Sequence, residues 1–207
     1  MKKIILTCLS INLFLYTALA GPSEPKWELV KDENGIKVFV FETNESEIVK
    51  AKTNIVINAP IQRVKEVLDD IDHRHEWIPF LKISKALSEY KNNKRIEYSH
   101  FSAPWPASDR DFVYQIELIN SSANKLVYKM FSVESDLKPD ESGYIRADLF
   151  ESIYTLESVD NETTAVELIF HADPKGWLPN WITNIIQRVL PFKILRNLRN
   201  RLNNENA

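Results

Sequence analysis

Apolar and polar residues alternate one for one through most of this chain, the period of a strand with one buried face. Residues 27–31 and 36–42 alternate on either side of Asp32-Glu33-Asn34-Gly35 and are expected to pair as a hairpin, with Gly35 supplying the positive φ of a tight turn. Further strands are expected over 47–57, 83–90, 95–101, 111–119, 125–132, 144–159 and 164–172. Two segments break the period. After Asn58-Ala59-Pro60, the residues Ile61, Val64, Val67, Leu68 and Ile71 fall at helical spacing, and a short helix or turn carrying His75, Trp77 and Phe80 should follow. From Leu178 to Leu202 the apolar positions mark a long amphipathic helix, which Pro191 should kink. Many strands and one long apolar-faced helix predict an α+β domain in which a curved antiparallel sheet grips a helix.

The first twenty residues read differently. Lys2 and Lys3 precede an apolar run from Ile4 to Tyr16, and Ala18-Leu19-Ala20 puts small residues before Gly21, the layout of a cleavable signal peptide over 1–20. The expected domain is then 21–207, in a periplasmic or secreted protein. Without Lys2 and Lys3, 24 basic residues face 29 acidic ones, a net charge of −5 that disfavours nucleic acid as a partner. Cys8 is the only cysteine and lies in the leader, so the expected mature chain has no disulfide and no thiolate metal site. Four glycines, none clustered, exclude a phosphate-cradling loop.

Three stretches together resemble START (StAR-related lipid-transfer) domains. They are the opening Trp27, Leu29, Val30, Gly35, Ile36, Val38 and Phe39; the central Trp105-Pro106-Ala107-Ser108-Asp109-Arg110-Asp111-Phe112-Val113; and Asp173-Pro174-Lys175-Gly176-Trp177-Leu178-Pro179, which leads into the last helix. The resemblance implies a helix-grip fold, a curved sheet closed by the C-terminal helix around a hydrophobic cavity. It also implies binding of a phospholipid, sterol or related lipid and its transfer between membranes, without cofactor, metal or covalent chemistry. Only Pro22 to Lys26 separate the leader from Trp27, so the extra first helix of many members is missing or minimal.

The cavity wall should come from one parity of each strand and the apolar face of the last helix: Phe101, Phe112, Tyr114, Phe150, Tyr154, Ile182, Ile186 and Leu190. Trp105 and Trp177 sit in polar, proline-containing loops, and the resemblance to ceramide-transfer members implies that they contact the membrane. Glu97 aligns with an acidic residue that steroidogenic acute regulatory protein places in its cavity, but the arginine that partners it there falls on Ile116. A buried carboxylate needs a cation. Arg95 or Arg146 is the expected replacement, and Glu97 and Arg146 are the expected head-group contacts.

Other groupings carry less. His73 and His75 lack a third ligand and are expected to belong to a helix start. Arg110 and Asp111 are expected to fix their loop against neighbouring backbone. Arg188, Lys193, Arg196, Arg199 and Arg201 suit a helix C-terminus or an anionic membrane surface. Against the non-catalytic, monomeric carrier stand two alternatives. One is a cavity enzyme of the polyketide-cyclase or hydrolase-like helix-grip type, which needs a positioned acid or base. The other is a protein-interaction module, which a side-chain-filled groove would favour.

Overall fold

The computed structural model describes residues 27–42, 49–140 and 143–204. The expected leader and the first residues of the third strand lie outside these.

The expected hairpin forms from β1 (Glu28–Glu33) and β2 (Ile36–Phe41), joined by Asn34 and Gly35 with φ of 53° and 74°. Two consecutive positive φ values give the turn whose twist suits paired strands. Along β2 the inward residues Ile36, Val38 and Val40 are buried, and along β3 (Lys50–Ile57) so are Ala51, Thr53, Ile55 and Ile57. Helix α1 (Ile61–Asp69) follows and buries Val64, Val67 and Leu68, and residues Arg74–Glu76 form a single 3-10 turn.

The remaining strands are β4 (Leu81–Ala86), β5 (Lys94–Phe101), β6 (Arg110–Ser121), β7 (Lys125–Ser132), β8 (Ile145–Arg146), β9 (Asp148–Ser158) and β10 (Thr164–Asp173). The main sheet runs in the order β1-β2-β3-β10-β9-β7-β6-β5-β4, with antiparallel neighbours throughout. One expected strand is split. Residues 145–146 leave the line of β9 and pair in parallel with the start of β6, where Arg146 Nε and Nη2 donate to the two carboxylate oxygens of Asp111 at 2.9 and 3.0 Å.

The last helix is not a simple kinked rod. It comprises α2 (Asn180–Asn184), a π-helical turn (Ile185–Val189) and α3 (Leu190–Asn204). Pro191 has no N–H to bond the carbonyl four residues back and its ring crowds that carbonyl, so the wider turn immediately before it relieves both demands.

The interior is solid at one end and hollow at the other. Leu195, Leu198 and Leu202 of α3 are fully or almost fully buried in one core with Ile36, Val38, Ile57, Leu156 and Leu168 of the sheet. Asn197 Nδ2 donates to the Trp77 carbonyl at 2.9 Å and ties the helix to the 3-10 turn. Leu198→Ala should therefore cost about 2–5 kcal/mol, read as a lower urea midpoint with an unchanged slope.

Candidate functional site

The hollow end is a cavity of about 170 Å³ between the concave face of β5, β6, β9 and β10 and the first half of the terminal helix. Of the expected wall residues, Phe101, Phe112, Tyr114, Tyr154, Ile182, Ile186 and Leu190 all line it, joined by Met130, Leu149, Phe170 and Ile185. Phe101 and Phe112 meet edge to face, centroids 5.7 Å apart. Phe150 does not line the cavity. Opposite β10, Glu151 pairs with His171 and Leu149 with Ala172, so Phe150 is the surplus residue of a bulge. The bulge reverses the parity: Leu149 turns inward, and Phe150 lies outside against the His171 ring at 4.8 Å.

At the inner end sits a buried ion triad. Glu97 is completely buried; its Oε2 accepts from Arg74 Nη1 at 2.5 Å and its Oε1 from Arg95 Nε at 2.6 Å. Arg74 Nε and Nη2 also donate to the Leu68 carbonyl, at 3.1 and 2.7 Å. Arg74, not Glu97, reaches the cavity wall. Burial alone would raise the Glu97 pKa, but the Arg74 and Arg95 guanidiniums outweigh it and hold the carboxyl below the ordinary range. Burial works against the Arg74 charge too, and Glu97 again outweighs it, keeping the guanidinium charged. Arg146 is not part of this cluster. It is held by Asp111 and the Lys138 carbonyl, away from the cavity, because β8 has moved to the other side of β6's start.

The sequence reading missed Arg74. It lies between His73 and His75 in a 3-10 turn, with no periodic pattern to reveal its face, and reaches Glu97 only through the tertiary fold. The two histidines point elsewhere: His73 Nδ1 to Asp70 at 2.8 Å, and His75 Nδ1 to the Asp72 carbonyl at 2.9 Å. Among the described residues no three His, Cys, Asp or Glu side chains form a metal cluster. Near the triad, Tyr114 Oη lies 3.0 Å from Ser99 Oγ and 3.5 Å from Arg74 Nη1. Burial pushes the Tyr114 and Tyr154 hydroxyls well above the usual phenol range, so both remain protonated.

The opposite, outer end is built by two loops. Trp105 is 89% exposed and Trp177 67%, with Trp181 of α2, four residues after Trp177, half exposed. Arg110, itself buried, holds both loops: Nη1 donates to the Ser108 carbonyl, Nε to Pro174 O at 3.2 Å, and Nη2 to Lys175 O and Trp177 O at 3.0 and 3.2 Å. Asp109 braces the first loop, accepting from the Ala103 N–H at 2.9 Å while its other oxygen meets His100 Nε2 at 2.9 Å. In the second loop Gly176 has φ of 63°, and a Cβ there would come within 2.8 Å of Ile145 Cδ1. Two cations of the terminal helix serve the fold: Arg199 donates to the Asn34 carbonyl at 2.8 Å, and Arg201 pairs with Glu76.

Comparison with known proteins gives the arrangement a context. The START domain family pattern matches residues 16–207. Phosphatidylcholine transfer protein of Mus musculus is 22% identical over 162 residues, spanning 76% of this chain and 75% of that protein. The crystal structure of a STAR-related lipid transfer protein from Xanthomonas axonopodis superposes with a TM-score of 0.74 at 28% identity, over 86% of this chain and 98% of the other. Human STARD10 superposes with a TM-score of 0.77 at 21% identity, over 85% of this chain and 72% of the other.

The depressed Glu97 pKa makes a pH prediction. A carboxylate whose folded pKa lies below its free value of about 4.5 stabilises the fold above that pH, and the contribution disappears as pH falls through the folded pKa. Wild type should lose stability on acidification below about pH 4.5 more steeply than Glu97→Gln. At neutral pH Glu97→Gln should cost about 3 kcal/mol, because it leaves two guanidiniums without their counter-charge. Urea titrations from pH 3 to 7, ~1 pH step apart, read both effects.

Proposed function

From the premise that this chain belongs to the START domain family, we propose that it carries a lipid in its cavity and exchanges it with membranes. The observation that supports this most is the pairing of an apolar, partly hollow interior with exposed tryptophans at its outer end. Each methylene moved from membrane to water costs about 0.8 kcal/mol, so a carrier must offer the chain an equivalent apolar surface. Phe101, Phe112, Leu149, Phe170, Ile182 and Ile186 offer it. Tryptophan prefers the membrane interface, where its ring meets hydrocarbon and its N–H meets water. Arg110 holds the Trp105 and Trp177 loops to one centre, so the two rings can approach a bilayer together.

The wall composition favours a carrier over a cavity enzyme. Among the described residues lining the cavity there is no Asp, Glu, His, Lys or Cys. Glu97 is held ionised between two guanidiniums and stands behind Arg74. General acid or base chemistry needs a group free to exchange a proton with the ligand. The leader-like residues 1–20 support placement of this activity in the periplasm or outside the cell.

Two measurements test the proposal. Native mass spectrometry of the protein taken from its own compartment should find a lipid bound. Replacing both Trp105 and Trp177 by Ala should slow transfer of a fluorescent lipid between vesicles by roughly tenfold, the order expected for losing two interfacial rings, with unchanged circular dichroism. An undiminished transfer rate in the double variant would remove the membrane role of these loops.

A further inference from the structure

The short strand β8 touches both tryptophan loops from outside the cavity. β7 begins to pair with β6 only at Tyr114, which leaves a free position beside the first residues of β6. β8 fills it, with Ile145 opposite Arg110 and Arg146 opposite Asp111. His100 and Asp111 stand opposite each other on the convex face, in the parity that does not line the cavity. Tyr144 and Arg146 reach that face, and Ile145, between them, turns the other way.

Each of these three residues makes a different contact. The Tyr144 ring packs on the His100 imidazole, centroids 4.3 Å apart, and His100 Nε2 meets the Asp109 carboxylate, which also accepts from the Ala103 N–H of the Trp105 loop. The Ile145 N–H donates to the Asp109 carbonyl at 3.0 Å. Ile145 Cδ1 fills the space beside Gly176 in the Trp177 loop, 2.8 Å from where a Cβ would stand. Arg146 anchors the group through its two-pronged pairing with buried Asp111, the most directional form of ion pair.

His100 is buried, and its Nδ1 has no hydrogen-bond partner among the described residues. Buried polar atoms are nearly always paired, so an imidazole kept here with one nitrogen open is kept for the contacts of its other nitrogen and its face. Those contacts are the Asp109 carboxylate on one loop and Tyr144 beside β8.

We infer that Tyr144, Ile145 and Arg146 are positioning residues: on the side away from the cavity they clamp the Trp105 and Trp177 loops at one spacing, and the rate of lipid transfer depends on that spacing. This rests on the carrier reading and adds to it a control point remote from both cargo and membrane. Two rings reinforce each other at a surface only when their geometry lets both engage at once. Arg110 gathers the loops' carbonyls from the cavity side; β8 braces the same loops from behind.

The test compares the intact protein with the Arg146→Gln, Asp111→Asn double variant, which removes both charges together and leaves neither alone. Amide exchange followed residue by residue by NMR should become about tenfold faster at Ala103 and at Lys175, whose N–H groups are bonded within the two loops, and stay unchanged along β9 and β10. Transfer of a fluorescent lipid between vesicles should slow by roughly threefold, less than on losing both rings, while Nile red, a dye that brightens in apolar cavities, binds as in wild type. If the double variant does not fold, Tyr144→Ala is read the same way. Wild-type exchange at Ala103 and Lys175, or a change at one of them alone, would overturn the clamp, since Arg110 would then suffice. Loosened loops with undiminished transfer would overturn the dependence of transfer on their spacing. The carrier reading is judged separately: it falls if wild type takes up no Nile red, and the membrane role of the loops falls only if replacing Trp105 and Trp177 leaves transfer intact.

Discussion

A curved sheet of this width exposes more concave apolar surface than one helix can cover, and that mismatch governs the rest of the molecule. The second half of the terminal helix buries its leucines in a close-packed core with β2, β3, β9 and β10. The first half faces β5, β6 and the start of β9 across unfilled space. Stability and vacancy are thereby assigned to different ends of the same groove. The leucines of α3 fix the helix, so Ile182, Ile186 and Leu190 can border a cavity without having to fill it.

Electrostatics then distinguishes the two ends of the vacancy. Inside, Arg74 and Arg95 answer Glu97, and a charge cluster that would be prohibitive alone becomes a rigid wall. Outside, Arg110 has carbonyl partners from two loops far apart in sequence. The same residue type is thus used once to stabilise a buried anion and once to gather backbone. The second arrangement links to the solvent-facing rings of Trp105 and Trp177.

Much of this was legible beforehand. Alternation gave the strands, and helical spacing after Pro60 and Leu178 gave the helices, because burial of one face leaves a direct trace in composition. Parity put four of the five strand residues proposed for the wall, Phe101, Phe112, Tyr114 and Tyr154, on the cavity. It failed at Phe150 because a bulge inserts one residue without any marker such as glycine or proline. It failed at Arg146 because the break between β8 and β9 depends on a side-chain pairing with Asp111, 35 positions earlier. Arg74 was invisible for a related reason: the demand for a cation was plain from Glu97, but its supplier came from a turn with no period to read. Sequence patterns report local burial, whereas charge pairing is settled by which turns the fold brings together.

The π-helical turn at Ile185–Val189 has a consequence for phase along the terminal helix. Successive residues of an α-helix are rotated by about 100°, so Ile182 and Leu190, eight positions apart, would point about 80° away from each other on an uninterrupted rod. A wider turn holds one surplus residue and winds more slowly, which brings the two back toward a common side. The same insertion that accommodates Pro191 therefore keeps the cavity-bordering and core-packing stretches of the helix in register. A chain lacking that residue would have to choose which of the two faces to present to the sheet.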